Sequence, residues 1–96
     1  MKKYFIYWSP LAEETYLKTL GQILDRWTIN EVEDFEVKVE GLIEKLKTHK
    51  RLCPLSEKQT NLRRCVISPQ TSIVYRINDN VIELVAFFDN RVEHQY

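Results

Sequence analysis

The spacing of apolar residues divides the chain into two regimes. From Pro10 to Trp27, the residues Tyr16, Leu20, Ile23, Leu24 and Trp27 recur three or four apart, which predicts a helix with one apolar face. Ser9-Pro10 supplies an N-cap and then a proline at the first helical position, where a missing N–H costs nothing. Gly21 weakens this helix without breaking it. Thr28-x-x-Glu31 is a capping box, so a second helix starts at once and runs to about Lys47. Its stripe is Val32, Phe35, Val39, Leu42, Ile43 and Leu46, with Val37 off the face. Two helices joined this tightly form an αα-hairpin.

After a polar loop containing Pro54, the period falls from 3.6 to 2. Asn61 to Ile67, Thr71 to Ile77 and Val81 to Phe88 read as strands, separated by the turn formers Ser68-Pro69-Gln70 and Asn78-Asp79-Asn80. Such short turns make an antiparallel meander. In the second strand Ile73, Tyr75 and Ile77 share one side; the third is apolar on both faces, as suits a central, doubly covered strand. A β-prone Tyr4-Phe-Ile-Tyr-Trp8 precedes the helices. The order is β-α-α-β-β-β, an α+β fold with the helical hairpin packed on an antiparallel sheet.

Composition narrows the setting. Ninety-six residues, 44% of them hydrophobic, fit a single domain spanning residues 1–96, with no linker or repeat. No apolar run approaches the ~18 residues needed to span a bilayer, so no membrane partner and a cytoplasmic location are expected. Cys53 and Cys65 lie twelve apart without a Cys-x-x-Cys, and both are expected as reduced thiols, Cys65 as a small apolar filler. With His49 and His94 they match no zinc spacing, so neither a metal nor another cofactor is expected. Trp8 and Trp27 are expected to anchor the core, Tyr75 to be a core contact and Arg76 a surface charge.

Charge is balanced in sum and uneven in place. Residues 1–44 carry five Lys/Arg against nine Asp/Glu, and residues 45–96 carry nine against five. Seven cations (Lys45, Lys47, Lys50, Arg51, Lys58, Arg63 and Arg64) face one acid, Glu57, in the segment from Lys45 to Arg64. Such a patch holds phosphates or an acidic partner, or simply solvates a helix end and loop.

Taken together, the opening strand with "SPLAEETY", the helical hairpin, "NLRRCVISPQTSIVYRINDNVIELVAFF" and the closing "DNRVEHQY" resemble the RelE/ParE superfamily of bacterial toxins along essentially the whole chain. The resemblance implies a small toxin that arrests growth when free and is neutralised by a cognate antitoxin. RelE-like members cleave messenger RNA on the ribosome. On that pattern Arg63, Arg91, His94 and Tyr96 fall at catalytic positions, while Lys45, Lys47, Lys50, Arg51 and Arg64 would meet the target or the antitoxin. Ser72 departs from the pattern, because cleaving members place an arginine just before the Val-Tyr of the second meander strand, and a hydroxyl does not replace a guanidinium on a phosphate. ParE-like members, which act on DNA gyrase, lack the catalytic set and keep an arginine after the last strand. This chain fits them better, with the ribosome-dependent endoribonuclease as the alternative. Arg91 is expected beside His94, Tyr96 and one of Arg63 and Arg64.

Overall fold

The computed structural model describes residues 3–92 and 94–96. Its elements run β1 (Phe5–Trp8), α1 (Pro10–Arg26), α2 (Ile29–Leu46), β2 (Arg63–Val66), β3 (Thr71–Asn78) and β4 (Val81–Asp89). Each follows from local chemistry. The Ser9 hydroxyl accepts the Ala12 N–H at 2.9 Å and opens α1. The Glu31 carboxylate accepts both the N–H and the hydroxyl of Thr28, which starts α2 only two residues after α1 ends. Asp79 takes a left-handed conformation (φ 56°) in the turn between β3 and β4, where Asp and Asn are tolerated.

The sheet order is β1-β4-β3-β2. The meander β2-β3-β4 is antiparallel as expected, and β1 adds to it in parallel beside β4, with Phe5 opposite Val81 and Trp8 opposite Leu84, so the four-stranded sheet is mixed. The helical hairpin provides the long crossover that a parallel neighbour requires. It also places β4 in the interior of the sheet, which explains apolar residues on both of its faces.

One face of the sheet packs on the helices. Phe35, Val39 and Leu46 of α2 meet Ile73, Tyr75, Ile82, Leu84 and Phe87, with Tyr16, Leu20 and Ile23 of α1 alongside. Trp8 is part of this core, 5.2 Å from the Tyr16 ring and 5.7 Å from that of Phe87. Trp27 is not. It is 60% exposed at the C-cap of α1, and Leu24 in the last turn is 52% exposed. Leu62, Val74, Ala86 and Phe88 form a second small core on the opposite face, covered by Val85 and Tyr96.

A β-bulge sets which residue faces which core. Val74 pairs with Ala86 and Tyr75 with Leu84, leaving Val85 as the extra residue. The bulged region is tied to α1 and its cap: the Ser9 hydroxyl donates to the Val85 carbonyl at 2.9 Å, and the Phe87 N–H donates to the Thr15 hydroxyl at 2.9 Å. Beyond the bulge, Phe87 faces the helices and Phe88 faces away.

The loop between α2 and β2 folds back along β2. The Arg64 N–H donates to the Pro54 carbonyl at 2.9 Å, and Leu55 forms an isolated bridge with Arg63. This brings Cys53 opposite Cys65, Cα to Cα 5.4 Å, and the two are joined in a disulfide. The expectation of reduced thiols is therefore corrected: sequence spacing carries no sign of a loop that returns to lie beside a strand. No described helix is long and apolar enough to cross a membrane.

Candidate functional site

Strand parity sends the two arginines of β2 to opposite faces. Arg63 lies opposite Tyr75 on the helix side, where its Nη1 donates to the Cys53 carbonyl at 2.8 Å. Arg64 lies opposite Val74 on the other side. Its guanidinium sits 5.2 Å above the Phe88 ring, and it donates to Asn90 Oδ1 at 2.9 Å and, more weakly, to Ser72 Oγ at 3.4 Å. Ser72 is completely enclosed, so its hydroxyl serves Arg64 and is out of reach of any ligand.

The C-terminal tail completes this surface. The His94 ring lies 4.3 Å from that of Phe88 and the Tyr96 ring 5.3 Å from it. Lys58 Nζ donates to the His94 carbonyl at 2.7 Å, Gln59 Nε2 to the Gln95 carbonyl at 2.9 Å, and the Ser56 hydroxyl to the Tyr96 carbonyl. Beside the tail lies an open hollow of about 300 Å³ bordered by Pro54, Leu55, Lys58, Arg64, Val66 and Tyr96.

The chemistry of His94 follows from these neighbours. Burial against Phe88 and the charges of Lys58 and Arg64 hold its pKa below the usual 6.5, so the imidazole is mostly neutral at pH 7. Its Nδ1 faces the Tyr96 N–H at 3.2 Å and accepts it, which leaves the ring proton on Nε2. In that tautomer Nε2 is a donor. To act as a general base the ring must first give up its bond to Tyr96.

Arg91 stands elsewhere. It is bound to Asp89 by Nε to Oδ1 at 3.0 Å and by Nη2 to Oδ2 at 2.8 Å. The pair lines a cleft of about 370 Å³ between the tip of the helical hairpin and the turn joining β2 to β3, together with Arg26, Trp27, Asp34, Lys38 and Gln70. Bonding to Arg91, supported by the charge of Arg26, holds the Asp89 carboxyl at a pKa of about 2.

The expected constellation is thus divided. His94, Tyr96 and Arg64 come together on the open face, while Arg63 and Arg91 are turned to the helix side. Of the basic segment, Lys45 and Arg51 are exposed, Lys47 pairs with Glu44, and Lys50 lies 5.0 Å from the centre of the Tyr4 ring. Arg76 pairs with Glu83 at 2.6 Å on the surface, and Tyr75 is fully buried in the core. Sequence reasoning missed the parts of Phe88 and Asn90 in this surface and the role of the 53–59 loop as a seat for the tail. No sequence signal marks a bulge that turns Phe88 outward. Among the described residues no three His, Cys, Asp or Glu side chains converge as a metal site, and the two sulfurs are spent on each other.

A mixed four-stranded sheet covered by one helical hairpin is a fold shared with solved toxins of toxin–antitoxin systems. The chain is similar to a structure of a chromosomal ParDE toxin–antitoxin system from P. aeruginosa, with a TM-score of 0.75 at 8% identity, over 91% of this chain and 96% of that one. It matches a RelBE2 toxin–antitoxin complex from Mycobacterium tuberculosis (TM-score 0.64, 17% identity, 96% and 97% covered) and a YoeB dimer from Staphylococcus aureus (TM-score 0.65, 19% identity, 94% and 99% covered). No family model and no curated protein matches the sequence. The fold is therefore the RelE/ParE fold, and at these identities the likeness shows the fold alone.

Proposed function

We propose that this chain is the toxin of a type II toxin–antitoxin pair, a growth inhibitor of the ParE kind that acts on DNA gyrase and is held inactive by a cognate antitoxin. The fold supports the general reading. The observation that carries the finer one is the commitment of the cations: Arg63, Arg64, Arg91 and Lys58 are each bonded to an internal acceptor, and Ser72, where the resemblance expects an arginine, is enclosed. Phosphoryl transfer needs cations aimed at a phosphate and a base with an open lone pair. Here the guanidinium groups are tied down, and Nε2 of His94 bears a proton.

The antitoxin is expected to be acidic where it meets the basic segment. Lys45 and Arg51 are exposed, and Lys50 and Arg64 lie partly open on either side of the loop. Opposite charge on the partner steers encounter and fixes register.

One observation favours the alternative, a ribosome-dependent messenger RNA endoribonuclease. Tyr96, Arg64 and Lys58 do border one hollow, with His94 beside Tyr96 on the Phe88 ring, and rearrangement of the tail on an RNA would release their bonds. The two readings part experimentally. Growth arrest on expression without the antitoxin, inhibition of gyrase supercoiling by the purified protein, and no cleavage within A-site codons by primer extension are the expected results. Discrete A-site cuts that vanish in Tyr96→Phe would establish the endoribonuclease instead.

A further inference from the structure

Three consecutive tail residues hang from one loop. The main-chain carbonyls of His94, Gln95 and Tyr96 accept bonds from Lys58, Gln59 and Ser56, and the His94 and Tyr96 rings lie on Phe88. The loop has no helix or strand of its own beyond the bridge at Leu55. Its covalent anchor to the sheet is the Cys53–Cys65 bond, which closes a twelve-residue separation immediately before the tail-holding residues begin. Cys65 is buried at 3% exposure, while Cys53 is partly open to solvent. Cys53 is thus the more open half of the bond, the side from which a thiolate would approach, and Cys65 is sheltered.

We propose that Cys53–Cys65 is a redox latch for the C-terminal tail. Oxidised, it clamps the loop to β2 and so seats His94 and Tyr96 on Phe88. A dithiol reductant opens it. One thiolate of the reductant attacks the Cys53 sulfur and expels the Cys65 thiolate; the second then displaces Cys53 from the mixed disulfide. The reductant leaves as its own disulfide, two electrons have passed to the protein, and both cysteines take up protons from water. Loop and tail then come off together, uncovering the small core around Phe88, Val74 and Leu62. The remaining links of the loop to the sheet are hydrogen bonds rather than covalent ones: Arg63 to the Cys53 carbonyl, Tyr75 to the Lys50 carbonyl, the Arg64 N–H to the Pro54 carbonyl, and the bridge between Leu55 and Arg63. Local opening of this kind needs few buried contacts in the segment released, and most of the 51–61 stretch is exposed. The effect of the latch on growth inhibition rests on the toxin reading above, because only a cytosolic target exposes the bond to the thiol pool in which bridges of this type act as sensors; the latch itself does not.

The test uses the full chain purified without reductant. Iodoacetamide should leave both cysteines unmodified until dithiothreitol is added; modification beforehand would overturn the proposal. On reduction, the amides of Ser56, Leu62 and Arg64 should exchange about tenfold faster or more, and the His94 and Tyr96 ring-proton shifts should move to free-chain values, while amides of α1, β3 and β4 hold within about threefold. Unchanged rings, or equal acceleration in β3 and β4, would overturn it, the second by showing a general staple. Cys53→Ala/Cys65→Ala should reproduce the reduced pattern and no longer respond to dithiothreitol; a continued response overturns the latch. Oxidised and reduced protein are then compared for target inhibition. A working latch with no inhibition by either form would refute the toxin reading and leave the latch standing.

Discussion

Arg91 and Asp89 close a two-point ion pair at the end of β4, with Nε 3.0 Å from Oδ1 and Nη2 2.8 Å from Oδ2, and the Arg91 N–H adds a third bond to Oδ1 at 2.8 Å. A hydrophobic strand ends on an arginine because the arginine folds back on the last residue of that strand. The consequence is electrostatic and local. The pair lies in the cleft at the hairpin tip, turned away from the tail.

The Asp89 carboxyl stands at about 2 against an ordinary 3.8. Its folded value is depressed, so its stabilising contribution is complete above the unfolded value and is lost as pH falls through about 2. Arg91→Ala should return the Asp89 carbon chemical-shift titration toward 3.8 and remove that part of the acid dependence. Both side chains are partly exposed, so stability at pH 7 should barely change. A midpoint still near 2 in the variant would mean that Arg26 or another cation holds the carboxylate.

The two tryptophans should separate sharply. Trp8 packs on Tyr16 and Phe87, and Trp8→Ala is expected to cost roughly 3 kcal/mol, the scale of removing a large ring from a core. Trp27 lies on the rim of the cleft at 60% exposure, and Trp27→Ala should cost under about 0.5 kcal/mol. Urea unfolding of both variants measures this directly, and equal losses would place Trp27 in the core after all.

Ser9 joins two elements through one hydroxyl, accepting from Ala12 N–H at 2.9 Å and donating to the Val85 carbonyl at 2.9 Å. Ser9→Ala should destabilise by about 1–2 kcal/mol, since it removes a helix cap and leaves a bulge carbonyl unpaired. A loss within experimental error in urea would show that water replaces both bonds.

These cases mark where the sequence was legible. The stripe Val32, Phe35, Val39, Leu42, Ile43 and Leu46 in α2 faces the core as its period requires, and Val37 stays outside at 66% exposure. Thr28 and Glu31 placed the break between the helices because capping is a local interaction. Three features were not local. The disulfide depends on a loop returning beside β2. Trp27 depends on what packs against the last turn of α1, and it lies on the rim of the cleft. The site depends on the bulge at Val85, since a period of two carried through β4 puts Phe88 on the same face as Ile82 and Leu84, and one extra residue reverses every side chain beyond it. That reversal takes Phe88 to the tail and Asp89 to the helices, and with Asp89 goes Arg91.

The basic segment yields the last prediction, because the structure sorts its cations. Arg63 and Arg64 are bonded internally and Lys47 is paired, whereas Lys45 and Arg51 stand exposed with no such partner among the described residues. If an acidic antitoxin segment is drawn in by long-range attraction, its association rate should fall as salt rises from about 0.05 to 0.5 M, the range over which screening becomes strong. Lys45→Glu and Arg51→Glu should each slow association several-fold at low salt with a small effect on dissociation, as expected for groups that steer encounter. Glu substitutions at the exposed Lys18 and Lys38, outside the segment, serve as charge-matched controls. Stopped-flow mixing with the antitoxin separates the rates. A rate insensitive to salt, or controls as slow as the segment variants, would make the patch ordinary solvation of a helix end and a loop.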